Sequence, residues 1–194
     1  MAPLKIGLTG GIAAGKSEAL KAFERLGAAT LSSDAVVHEL LEGDELRGKL
    51  EERWGPEVTA LDGSINRAKI GEIVFADPEE LTWLEQQIHP LVQARTAEWV
   101  LSLPEETEVA VVEVPLLFEV GGDRPFDTTV AVVTSDEVRR ERAAARGHAL
   151  VDEREARQLT QVEKAGRADH VVENDGSVED LERALSALLE KLRR

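Results

Sequence analysis

The chain has 194 residues, with 38 acidic and 23 basic side chains and a formal net charge of −15. So acidic a chain repels nucleic acid and anionic membranes as a whole, and the lack of cysteine excludes disulfides, thiolate metal sites and cysteine nucleophiles. At this length, with 42% hydrophobic residues, a single domain with a real core is expected, and no apolar run is long enough to span a bilayer.

Residues 4–9 (Leu-Lys-Ile-Gly-Leu-Thr) read as a short buried strand, followed by a glycine turn and a helix from about Lys16 to Leu26. Ala28 to Leu31 is a second short strand, ending at Ser32-Ser33-Asp34; Val36, Val37, Leu40 and Leu41 then recur at helical spacing. The next eighty or so residues look all-helical. Asp77-Pro78 is expected to start one helix and His89-Pro90 another, because proline is tolerated in a first helical turn. A parallel crossover needs only about a dozen residues, so the surplus reads as an inserted helical lobe. Residues 109–114 and 128–134 are strands rich in β-branched side chains, and 170–172 is a weaker one. A last helix has Ser177 as its cap and Val178, Leu181, Leu185, Leu188 and Leu192 as its apolar stripe. Apolar strands alternating with helices predict an α/β fold: a parallel sheet covered on both faces. Met1 to Lys5 lead straight into the first strand without an apolar signal segment, so a cytoplasmic protein is expected.

Gly10-Gly11-Ile12-Ala13-Ala14-Gly15-Lys16-Ser17 fits G-x-x-x-x-G-K-[ST] between a strand and a helix, which is the context this phosphate-binding loop requires. Glycines let backbone N–H groups approach phosphate oxygens, and the following helix adds its positive end. Lys16 is expected on the β- and γ-phosphates of a nucleoside triphosphate, and the Ser17 hydroxyl on Mg²⁺. Neither D-x-x-G nor N-K-x-D occurs, which argues against a GTPase. A P-loop chain with an inserted helical lobe and an arginine-rich helix looks like a small-molecule kinase.

Asp34 follows the second strand at the carboxyl edge of the sheet, where a carboxylate can take the proton of an attacking hydroxyl; it also suits the cap of a helix over 35–42, and both roles can coexist. Glu113, in an otherwise apolar strand, suits a water on the metal, the alternative being a solvent-facing strand end. Arg142 and Arg146 share a helix face and can present guanidinium groups to a triphosphate, the plainer reading being a solvated face. Arg157 lies on the stretch beyond, on the same cleft by expectation. His38 and His89 are single histidines, and neither suggests a metal site.

With these pieces in place, the sequence resembles the dephospho-coenzyme A kinase family over essentially its whole length. The resemblance is carried by Leu8 to Ile12 leading into the P-loop, Leu31-Ser32-Ser33-Asp34-Ala35 with His38, Asp62-Gly63 with Arg67, and Asp77-Pro78-Glu79 with His89-Pro90. It continues through Glu113-Val114-Pro115-Leu116-Leu117-Phe118-Glu119, Arg142, Arg146, Arg157, Gln161, Lys164 and Asn174-Asp175-Gly176. It implies transfer of the γ-phosphate of ATP, with Mg²⁺, to the ribose 3′-hydroxyl of dephospho-coenzyme A. It further implies a five-stranded P-loop core (1–54, 109–138 and 166–194), a helical coenzyme-A-binding insertion (55–108) and a lid (139–165). Asp34 matches the presumed general base, Arg142 a lid arginine on ATP, and Thr9 a threonine near the acceptor or metal. His38, His89, Leu116, Leu117 and Glu119 match positions at the acceptor site.

Two residues depart from the pattern: Ser32 replaces the first acid of the D-A-D segment, and Glu18 replaces the threonine after the P-loop serine. Glu18 suits the helix dipole but would repel a phosphate, so it is expected to point away although it adjoins the ATP loop. A nucleoside or nucleotide monophosphate kinase on the same frame is the nearer alternative, and a non-transferring ATP-dependent binding protein the more distant one. ATP and dephospho-coenzyme A are the expected ligands, and a monomer or weak homo-oligomer the expected state.

Overall fold

Five strands, β1 (Leu4–Gly10), β2 (Ala29–Ser32), β3 (Val109–Glu113), β4 (Thr128–Val133) and β5 (His170–Glu173), form one sheet in order β2-β3-β1-β4-β5. This is a computed structural model that describes residues 2–60, 62–145 and 158–193. Every pairing is parallel. β3 is buried along its whole length and β1 from Ile6 onward, which is why these strands are apolar runs rather than alternating ones.

Helices α1 (Lys16–Arg25) and α8 (Val178–Leu192) supply the covering core. Ala19, Ala22 and Phe23 of α1 and Leu181, Leu185 and Leu189 of α8 cluster with Ile6, Leu8, Val109, Val111, Val130, Val132 and Val172. Ser177 caps α8 as expected, its hydroxyl accepting the Asp180 N–H at 3.2 Å. The stripe is shifted from the expected one: Leu189 is central, Leu188 and Leu192 flank it, and Val178 is 46% exposed in the first turn. Two further helices, α6 (Asp136–Ala145) and α7 (Gln161–Arg167), follow β4 and precede β5 respectively.

The chain divides into two compact units, one of residues 1–32 and 103–194 and one of residues 33–102. The second is built from α2 (Ser33–Glu42), α3 (Asp44–Trp54), a short 3₁₀ turn at Pro56–Val58, α4 (Arg67–Ala76) and α5 (Pro78–Ser102). Its core is Leu46, Leu50, Val58, Ile70, Val74 and Ile88. Val37, Leu40 and Leu41 of α2 pack on that core, so the unit starts at Ser33 rather than near residue 55. Trp54 and Trp83 meet edge-on at 5.1 Å, Arg53 lies 5.4 Å over the Trp83 ring, and the Trp54 indole N–H donates to Glu80 at 2.7 Å. An isolated antiparallel bridge joins Thr59 to Ile65.

One expectation fails in this unit. His89-Pro90 starts no helix: α5 is a single 25-residue helix with Pro90 inside it. Asp77-Pro78 does start it, the Asp77 carboxylate accepting the Glu79 N–H at 2.8 Å. Pro90 forfeits one backbone hydrogen bond, but Leu84, Ile88, Leu91 and Val92 on either side all join the core. That burial on both flanks outweighs a local break of about 3 kcal/mol.

Candidate active site

β1 lies between β3 and β4, where the strand order reverses, and ligands of such sheets bind beyond the carboxyl ends of the strands at that point. β1 ends there at Gly10 and the chain turns through residues 11–15 into α1. A β-carbon on Gly10 would collide with the Val132 carbonyl, and Gly15 has φ 95° with the Asn174 amide against its Cα. Both positions therefore require glycine. Gly15 is also the cap residue of α1 and offers no side chain, which leaves the first N–H groups of the helix for an anion. Ala13, with φ 60°, is the one non-glycine residue in the left-handed region among the described residues.

The Lys16 ammonium donates to the carbonyls of Gly10 (3.1 Å) and Gly11 (2.9 Å), folded over its own loop. Ser17 is exposed in the first turn of α1. Glu18 is turned along the helix to Arg25 (3.1 Å), which also holds Glu182 at 2.6 Å. That carboxylate faces an arginine two turns away, not the loop. Glu113 is 6% exposed at the end of β3, in register with Leu8 of β1 and Ser32 of β2, so it does not face solvent.

Arg142 reaches back from α6. Its guanidinium donates to the Asn174 carbonyl at 2.9 Å and lies 3.6 Å from where a Gly15 β-carbon would stand, over the start of α1. The Asn174 side-chain amide donates to the Ala14 carbonyl at 2.8 Å, so one residue after β5 holds both the phosphate loop and the arginine. Asp175 accepts the Thr134 hydroxyl and the Ser135 N–H, both at 2.6 Å. Those two bonds, with the Arg142 charge adding to them, hold its carboxyl below the ordinary value.

On the other side of the loop, the Gln161 side chain pairs with both backbone groups of Thr134, accepting at 3.2 Å and donating at 2.7 Å. A β-carbon on Gly11 would lie 3.1 Å from Gln161, so α7 rests directly on the phosphate loop. Thr9 is fully buried and its hydroxyl donates to the Pro115 carbonyl at 3.3 Å. Leu117 is fully buried against Gly7, while Leu116 is half-buried. Glu119 is turned inward, as described below.

In the helical unit, α2 begins at Ser33, so Asp34 occupies its first turn and not its cap, and it is exposed. His38 is exposed with its two ring nitrogens facing the Arg67 guanidinium and Glu42 (3.4 Å). His89 is half-buried mid-way along α5. Arg146, Arg157 and the rest of residues 146–157 of the expected lid lie outside the described residues. Asn174 is one residue that sequence reasoning gave no role. Its only signal was an Asn-Asp-Gly turn after a strand, which does not announce a contact 160 residues away.

The model of the dephospho-CoA kinase family matches residues 4–180. A dephospho-CoA kinase from Symbiobacterium thermophilum is 41% identical over 179 residues, covering 90% of this chain and 75% of its own. A Thermus thermophilus crystal structure superposes with a TM-score of 0.83 at 36% identity, over 99% of each chain. A dephospho-CoA kinase from Campylobacter jejuni does so at 0.71 and 26%, over 97% of this chain and 96% of that one. With a phosphate loop at the strand-order reversal and a match over nearly its whole length, the chain belongs to the dephospho-CoA kinase family.

Proposed function

We propose that this chain transfers the γ-phosphoryl group of ATP to the ribose 3′-hydroxyl of dephospho-coenzyme A, giving coenzyme A and ADP, the last step of coenzyme A biosynthesis. The observation that carries the reading is an intact phosphate loop, glycines required at both ends, in a chain that matches the family over residues 4–180. The acceptor oxygen forms a bond to the γ-phosphorus as the bond to the β,γ-bridging oxygen breaks. The hydroxyl proton goes to Asp34.

Lys16 exchanges its carbonyl partners for the β- and γ-phosphates. Arg142, already over the start of α1, neutralises the migrating group. Glu18 is directed to Arg25 and stays off the phosphates. His38, His89, Leu116 and the undescribed Arg146 and Arg157 are assigned to substrate contact on the family resemblance.

Mg²⁺ fits the donors present: the exposed Ser17 hydroxyl and the buried Glu113 carboxylate are hard oxygen groups. Among the described residues no group of three His, Asp or Glu could cage a metal, which suits an ion held by phosphates, Ser17 and waters, with Glu113 on one of those waters. When bound, it supplies charge neutralisation to the triphosphate. No helix among the described residues is long and apolar enough to cross a membrane, and we assign the activity to the cytoplasm, to a monomer or weak homo-oligomer.

The test is acceptor-dependent ADP release by the purified protein over a panel of acceptors. Dephospho-coenzyme A is expected to be phosphorylated. A nucleoside or nucleoside monophosphate accepted in its place would overturn the reading, as would slow ATP hydrolysis that no acceptor stimulates.

A further inference from the structure

Lys164 is a fully buried charge with no part in the phosphate chemistry described above. A buried ammonium persists only where partners replace its water. Here the Nζ donates to the Pro115 carbonyl and lies 3.0 Å from Glu119 Oε1. Each partner holds something else. The Pro115 carbonyl also accepts the Thr9 hydroxyl, and Glu119 Oε1 also accepts the Leu159 N–H at 2.9 Å. Three segments therefore converge on one charge: the end of β1, the loop after β3, and the chain entering α7. Gln161, three residues before Lys164, is the side chain seated on Gly11 of the phosphate loop.

The strand order gives this convergence its meaning. β3 lies between β2 and β1, with Glu113 in register with Ser32 on one side and Leu8 on the other. The loop that leaves β3 thus stands between the strand end carrying the phosphate loop and the strand end leading toward Asp34. In a transfer that depends on alignment, a misplacement of about 1 Å can cost roughly 100-fold.

We propose that Lys164, acting through Pro115 and Glu119, is a positioning residue for phosphoryl transfer: it fixes the loop after β3 against the phosphate loop so that the acceptor meets the γ-phosphate in line. The proposal rests on the transfer reading above. It also gives Glu119 a different task from direct substrate contact.

The experiment compares Lys164→Met, and Lys164→Met combined with Glu119→Gln, with the unaltered protein. The double variant leaves no unpaired buried charge, which favours folding. The quantity read is the ratio of dephospho-coenzyme A phosphorylation to ADP release without acceptor, at saturating ATP. Unfolded chains contribute to neither rate, so the ratio reports only on folded molecules, however many remain. It is expected to fall about 10- to 100-fold, with a raised KM for the acceptor and a KM for ATP changed by less than about threefold. An unchanged ratio in both variants would mean that the buried pair only stabilises the fold, and the proposal would be lost. If the unaltered protein phosphorylates no dephospho-coenzyme A, it is the functional reading that fails instead.

Discussion

Ala13 holds a φ of 60° in the middle of the phosphate loop, a conformation that costs a residue with a β-carbon roughly 1–2 kcal/mol. Ala13→Gly removes that strain but loosens the unfolded chain by about 0.5–1 kcal/mol. The variant is expected to be as stable as the parent or more so. Ala14→Gly, in the same loop but without positive φ and fully buried, is expected to lose about 1 kcal/mol. Urea titration of the two decides it, and equal losses would contradict the strain. The catalytic assignments are tested at the same scale. Asp34→Asn is expected to lower kcat by about 10²–10⁴ with the helical content unchanged in circular dichroism. Lys16→Ala is expected to abolish turnover without unfolding, since its ammonium donates to carbonyls of its own loop. The phosphate loop was legible in the sequence because the chemistry fixes its spacing along a few consecutive positions. Asn174, Gln161 and Lys164 had no assigned task because each acts on a backbone group far away in the chain, and one amide or ammonium carries no spacing pattern.

Among the elements, the strands and the last helix were readable because burial on both faces writes a continuous apolar run and capping writes a hydroxyl at the right place. The helix broken in expectation at Pro90 shows the opposite case. A proline is a strong local signal, but α5 is held by its packing on both sides of that residue. Since Pro90 is exposed, Pro90→Ala restores a backbone N–H at little packing loss. It is expected to stabilise the protein by about 2 kcal/mol, the interior proline cost of about 3 less about 1 for the freer unfolded chain. A thermal melt that moves down would show that the helix depends on its proline. The start of the helical unit was misjudged for a related reason. The α2 stripe is visible in the sequence, but the core it serves is not.

For the whole molecule, acid is the informative variable. The Thr129 hydroxyl and N–H each donate to Asp169 at 2.8 Å, and together they hold its carboxyl below the ordinary value at the start of β5. Asp175 is lowered in the same direction by Thr134 and Ser135. A carboxyl whose folded pKa is depressed stabilises the fold fully above its unfolded pKa, near 4, and loses that contribution as pH falls through the folded value. The melting temperature is therefore expected to hold down to about pH 5 and then fall, and Asp169→Asn to flatten that fall. An unchanged acid slope in the variant would remove Asp169 from the cause. The net charge of −15 acts at this scale too: both proposed substrates are polyanions. Residues 139–167 carry eight basic and five acidic side chains, a local +3, so the rest of the chain bears −18. In the proposed reaction this basic stretch and Lys16 are the places where polyanions would be admitted, the remainder of the chain repelling them.

The edge-on pair of Trp54 and Trp83 has an optical consequence. The chain has three tryptophans and no tyrosine, and Trp54, Trp83 and Trp99 all fall within residues 33–102. Intrinsic emission therefore comes from the helical unit alone, while the sheet unit is dark. Emission set beside far-ultraviolet dichroism, which sees both, gives an unlabelled readout of whether the two units melt at one temperature or at two.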